Sequence, residues 1–127
     1  MTHTIAPYVY IVEDDKGTNE LMAFLLRQKG FHPVQNFDGN LDYGLFKKAP
    51  PSLFIIDIEL PVVRGETLIG KLRENAETKE TPIIIISANK HVEEVSQQYN
   101  VEQFLCKPFD VDDFKTLLNK LHPENPV

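Results

Sequence analysis

A single cysteine, no long apolar run and a shortage of positive charge set the first limits on this chain of 127 residues. Cys106 has no partner for an internal disulfide, so nothing argues for an oxidising compartment. No stretch approaches the roughly 20 apolar residues that a membrane helix needs. The opening MTHTIAPY has neither the basic segment nor the apolar stretch of a secretory signal, and a cytoplasmic location is the expectation. Lys and Arg number 13 against 19 Asp and Glu, a net charge of −6, with no basic block of five or more. Phosphate contacts need clustered Lys and Arg, so direct nucleic-acid binding through this domain is not expected. His3, His32, His91 and His122 are scattered without ligand spacing and read as lone surface residues rather than a metal site.

What is present is the mix of a globular protein, with 42% apolar and 25% charged residues, in a length that suits one core and not two. Tyr8 to Val12, Leu53 to Ile56 and Ile83 to Ile86 are continuous apolar runs rich in β-branched residues, which suit strands covered on both faces. His32 to Phe37 contains Pro33, which cannot donate to a central ladder, and Gln103 to Cys106 is short and mixed; both predict edge strands. Phe114, Leu117, Leu118 and Leu121 stand at i, i+3, i+4 and i+7, an apolar helical stripe. Leu21, Phe24 and Leu25 predict a similar stripe on a helix from about Thr18 to Lys29, ended by Gly30. Leu41 with Leu45, Leu68 with Leu72, and Val92 with Val95 and Tyr99 mark three shorter helices. Five strands alternating with five helices predict an α/β fold, a (βα)5 doubly wound parallel five-stranded sheet. Three central and two edge strands fit the flavodoxin-like order 2-1-3-4-5, with ligands beyond the carboxyl ends where strands 1 and 3 are neighbours.

The candidate chemistry falls at those ends. The first strand ends in Glu13-Asp14-Asp15 and the third in Asp57. Acidic residues after a strand ordinarily solvate a turn. Several in one crevice repel one another unless a cation neutralises them, and hard oxygen donors with room for water suit Mg²⁺. The fourth strand ends in Ser87, whose hydroxyl can cap a helix or reach an anion. The fifth runs into Cys106-Lys107-Pro108-Phe109, where an ammonium projecting into the crevice can stabilise phosphoryl oxygens. Each residue alone is unspecific, but their order along the chain is not.

Four segments, Val9-Tyr-Ile-Val-Glu-Asp-Asp15, Phe54-Ile-Ile-Asp-Ile-Glu-Leu-Pro61, Ile85-Ile-Ser-Ala88 and Phe104-Leu-Cys-Lys-Pro-Phe109, resemble the receiver domains of two-component response regulators, of the CheY-like superfamily. The resemblance runs over nearly the whole length, and implies a receiver domain over residues 5–122 with a tail or linker start at 123–127. It implies Asp57 as phosphoacceptor, taking a phosphoryl group from the phosphohistidine of a sensor histidine kinase or phosphotransfer domain. Asp14, Asp57 and the backbone carbonyl of Glu59 would ligate Mg²⁺, with Glu13 acting through water. Ser87 and Lys107 would hold the phosphoryl group. Ser87 and Phe104 would form a switch that alters the face of helix 4, strand 5 and helix 5, read by an output partner or fused effector domain. Such a domain is a signalling phosphoacceptor rather than an enzyme. The resemblance also implies a cis Lys107–Pro108 peptide.

The chain departs from the commonest receiver pattern in having serine at 87, phenylalanine at 104, Arg64 before Gly65, and Asn100 where glycine is frequent. None removes a group that phosphorylation needs, and Asn tolerates a left-handed turn. Cys106, in an apolar strand, is expected to be buried. A haloacid-dehalogenase-type phosphatase also uses a strand-end Asp, Mg²⁺, a hydroxyl and a lysine. Its nucleophile precedes its acidic pair, however, whereas here the pair comes first. A flavodoxin-like electron carrier would need a phosphate loop where Glu13-Asp14-Asp15 would repel the flavin phosphate. A phosphorylation-independent pseudo-receiver is the other alternative, and the complete residue set counts against it.

Overall fold

The computed structural model describes residues 6–89, 92–101 and 103–120. Leu121 and both ends of the expected domain lie outside them. Five strands alternate with five helices: β1 Val9–Val12, α1 Lys16–Gln28, β2 Pro33–Asn36, α2 Tyr43–Lys48, β3 Leu53–Asp57, α3 Gly65–Glu74, β4 Ile83–Ser87, α4 Val92–Gln98, β5 Gln103–Cys106 and α5 Val111–Leu118. All pairings are parallel and the order is β2-β1-β3-β4-β5, as the pattern of runs predicts. The Pro33 strand and the short mixed strand are the two edges.

Both faces of the three central strands are covered, and side chains alternate between them. Tyr10, Val12, Phe54, Ile56, Ile83 and Ile85 pack with Phe46 of α2, Leu68, Ile69 and Leu72 of α3, and Val92 of α4. Val9, Ile11, Leu53, Ile55, Ile84 and Ile86 pack with Met22, Ala23 and Leu26 of α1 and Phe114, Leu117 and Leu118 of α5. The rings of Tyr10, Phe46 and Phe54 meet edge to face at centroid distances of 4.9–5.8 Å.

Two expectations about burial fail. The stripe of α1 is Asn19, Met22, Ala23 and Leu26, with Leu25 beside it, while Leu21 and Phe24 are 40% and 54% exposed. This helix carries more apolar residues than one face can bury, and a polar Asn19 heads the buried row, so apolar spacing alone picks the wrong face. Cys106 is exposed, because alternate residues of the edge strand β5 turn away from the sheet's packed faces. In α2 the buried anchor is Phe46; Leu41 lies before the helix and Leu45 is half-buried.

Local backbone choices agree with the sequence. Gly30, just past the end of α1, has φ 93°, and Asn100 takes φ 56° in the left-handed region. Lys107–Pro108 is cis, as expected.

Candidate functional site

The carboxyl ends of β1, β3, β4 and β5 bring their terminal side chains into one crevice. Backbone pairing continues past the strands and sets each end: Glu13 N–H donates to Asn36 O at 3.0 Å, Ile58 N–H to Ile86 O at 3.0 Å and Lys107 N–H to Ser87 O at 2.8 Å. Asp57 is 2% exposed. Its Oδ1 accepts from Glu59 N–H at 2.9 Å, and its Oδ2 accepts from Lys107 Nζ at 2.9 Å. The same ammonium lies 2.5 Å from Glu13 Oε1.

Glu13 is fully buried. Its Oε2 accepts from Asp15 N–H at 3.2 Å, while Oε1, for all its closeness to the ammonium, makes no well-directed hydrogen bond. Burial raises the Glu13 pKa, the adjacent Asp57 carboxylate raises it further, and Lys107 offsets part of the rise; the result is about 7. Burial also works against the charge on Lys107, yet Glu13 and Asp57 together outweigh it and hold that pKa above the ordinary lysine value.

Asp14 is exposed at the mouth. One carboxylate oxygen from each of Glu13, Asp14 and Asp57 lies within 4.8 Å of the others. Three hard oxygen donors, one of them buried without a directed partner, against a single ammonium among the described residues make a set that fits a divalent cation such as Mg²⁺.

Ser87 is fully buried at the end of β4, and its hydroxyl donates to Glu59 Oε2 at 2.5 Å. Ala88 N–H donates to Glu59 Oε1 at 2.6 Å. Glu59 was expected to contribute only its backbone carbonyl, so the grip of its side chain on the end of β4 is new. Phe104 does not enter the crevice. It pairs with Ile85 along β5 and is 37% exposed.

Three further residues shape the site. Asp15 caps α1, accepting from Thr18 N–H at 2.9 Å and Thr18 Oγ1 at 2.6 Å; the hydroxyl and amide bonds of Thr18 lower its carboxyl pKa. An acidic residue three before Thr18 is a readable cap signal. Asn19 Nδ2 donates to Glu13 O at 2.9 Å and Asn36 O at 3.1 Å, tying the ends of β1 and β2 to α1. Gly65 starts α3 with its N–H donating to Ile58 O at 3.0 Å, so close that a Cβ there would lie 2.6 Å from Asp57 O. No apolar or acidic pattern announces either of these contacts.

Comparison with known proteins bears on the family and the fold. The family model described as the response regulator receiver domain matches residues 9–119. The DNA-binding dual master transcriptional regulator RpaA of Synechocystis is 28% identical over 109 residues, covering 84% of this chain and 45% of RpaA. The chain thus spans about half the length of that relative. The solved chemotaxis response regulator CheY4 of Vibrio cholerae has a TM-score of 0.79 at 21% identity, covering 91% of this chain and 98% of CheY4. TrrA of Thermotoga maritima, solved in complex with Mg(2+)-BeF, has a TM-score of 0.75 at 24% identity, covering 90% and 97%. At those identities the two structures attest the fold.

Proposed function

The chain belongs to the response regulator receiver domain family, and from that premise we propose that it takes a phosphoryl group on Asp57 from a phosphohistidine donor and signals through it. The observation that supports this best is Asp57 itself. It is a buried carboxylate with one oxygen on an ammonium and the other on a backbone N–H, beside two further carboxylates.

An Asp57 oxygen attacks phosphorus while the bond to the donor's imidazole nitrogen breaks, and that nitrogen leaves with the electron pair. Lys107 neutralises charge on the transferring group, so the residues act by positioning and electrostatics. Glu13, Asp14, Asp57 and the Glu59 carbonyl would hold Mg²⁺, which supplies further neutralisation of the phosphoryl oxygens. The acyl phosphate adds roughly −1.5 to −2 charges where one carboxylate stood. Ser87 turns its hydroxyl to a phosphoryl oxygen, and Phe104, now part-exposed, moves into the space released. The face of α4, β5 and α5 is altered, a local charge event read at a distance. Its partners are a sensor histidine kinase or phosphotransfer domain on the input side, and an output partner or fused effector domain on the other. With a net charge of −6, any DNA contact belongs to such an effector rather than to this domain.

Mg²⁺ with acetyl phosphate should add one phosphoryl group by intact mass spectrometry, and Asp57→Asn should abolish the gain. An undiminished gain in that variant refutes the assignment.

A further inference from the structure

We infer that the Glu59 carboxylate is an internal competitor of the phosphoryl group, a latch that holds the recognition donors of the unphosphorylated protein and sets how fast it is phosphorylated. The inference rests on the phosphoacceptor reading and names a regulation of that same site.

Ser87 has one O–H, and it is given to Glu59 Oε2. The lone pairs of that hydroxyl are engaged too, since Asn89 N–H donates to Oγ at 2.9 Å, which fixes the rotor with its hydrogen toward Glu59. Ala88 has one N–H, and it is given to Glu59 Oε1. A two-oxygen anion therefore spans two donors at the end of β4, next to the strand end that carries Asp57. A phosphoryl group on Asp57 presents the same kind of charged acceptor, and neither donor can serve both. Both bonds are charge-assisted and short. Burial does not keep Glu59 in place, since it is exposed, and each of its carboxylate oxygens is held by a donor at the end of β4. Its own backbone N–H is tied to Asp57 Oδ1, so the phosphoacceptor and the latch are two residues apart on one strand end.

The competition has a definite consequence. While the latch is closed, Ser87 and Ala88 cannot stabilise the incoming group, and the reactive population is only the fraction with Glu59 swung out. Opening forfeits charge-assisted hydrogen bonding worth roughly a factor of ten in equilibrium, so phosphorylation should be slowed by about that factor. After transfer, the negative phosphoryl group and Glu59 repel each other, and the carboxylate is left in solvent.

The test compares the intact chain with Glu59→Asp and Glu59→Ala, both of which leave the backbone amide and carbonyl in place. Acetyl phosphate with Mg²⁺ is the donor; its acyl P–O bond breaks, acetate leaves, and the Asp57–phosphorus bond forms. Glu59→Asp keeps the charge but is one methylene too short to span both donors. Both variants should gain mass about tenfold faster than the parent, and the Ala88 amide proton should move upfield in both before any donor is added. If Glu59→Asp matches the parent while Glu59→Ala is fast, only local charge is at work and the latch is refuted. Equal rates in all three, or an unmoved Ala88 amide, refute it as well. No mass gain in any of the three overturns the phosphoacceptor reading itself, and the latch with it.

Discussion

Lys107 Nζ stands 2.5 Å from a Glu13 carboxylate that has no exposed surface, so this one ammonium is shared between Glu13 and Asp57. Burial first, and the neighbouring Asp57 second, push the Glu13 pKa up to about 7, and the shared ammonium offsets only part of that rise. In the folded chain Glu13 therefore holds a proton over a pH range in which the unfolded chain has released it. Stability from this group is full below its ordinary pKa of 4.5 and is lost as the pH rises through about 7. Without divalent metal, urea midpoints should fall across that window, and Glu13→Gln, which cannot titrate, should remove that part of the slope. The raised pKa of Lys107 acts only above the ordinary lysine range and does not enter this window.

Added Mg²⁺ should raise the thermal midpoint, because a ligand of the native state stabilises it by about 2.7 kcal/mol at one hundred times its dissociation constant. Asp14→Ala should lose most of that response. In the absence of metal the same variant should be no less stable than the parent, since Asp14 is exposed and sits against two other acidic side chains, Glu13 and Asp57. A full Mg²⁺ response in Asp14→Ala would place the cation elsewhere.

Two glycines of α3 should answer the same substitution with opposite signs. A Cβ at Gly65 would lie 2.6 Å from both Asp57 O and Ile58 Cα, backbone atoms that cannot rotate away. Gly65→Ala should cost about 1–3 kcal/mol and slow phosphorylation by shifting the Asp57 backbone. Gly70 has nothing within 4 Å of the added carbon, so Gly70→Ala should gain about 0.5–1 kcal/mol from helix propensity. Urea unfolding of the pair checks both.

Asn19→Ala removes both amide bonds that tie Glu13 O to Asn36 O; Asn36 O keeps its bond from Glu13 N–H, and the Glu13 carbonyl is left short of a partner. The expected loss is about 2–3 kcal/mol, read by urea unfolding. It should be accompanied by weaker Mg²⁺ binding, because the Glu13–Asp14 turn loses its anchor. A variant with parent-like metal affinity would show that α1 does not position that turn.

The sheet was legible from the chain alone because each strand carries its own signal. Runs such as Ile83 to Ile86 are apolar at every position, which only a strand buried on both faces needs, and Pro33 cannot serve in a central ladder. The order of Glu13-Asp14, Asp57, Ser87 and Lys107 followed from the same reading, since in a parallel sheet every carboxyl end opens on one side. Local backbone demands were legible too, as Asn100 at φ 56° shows.

Tertiary structure decided what depends on partners distant in the chain. Leu21 and Phe24 share an apolar helical stripe with Leu25, as Met22, Ala23 and Leu26 do, yet of the first stripe only Leu25 is buried. Packing against β1, β3 and α5 chooses the second set and places Asn19 among them, because its amide can satisfy two strand-end carbonyls there. Cys106 resembles a core residue in its own segment, and only the position of β5 at the sheet edge exposes it. Glu59 is a carboxylate in a turn until the fold sets the end of β4 beside it; then its charge finds two donors 28 and 29 residues away. Side-chain type and spacing specify which strands form and what groups they carry. Which of several competent side chains is buried, paired or left in water is a difference of contact energies between elements, and no local pattern encodes it.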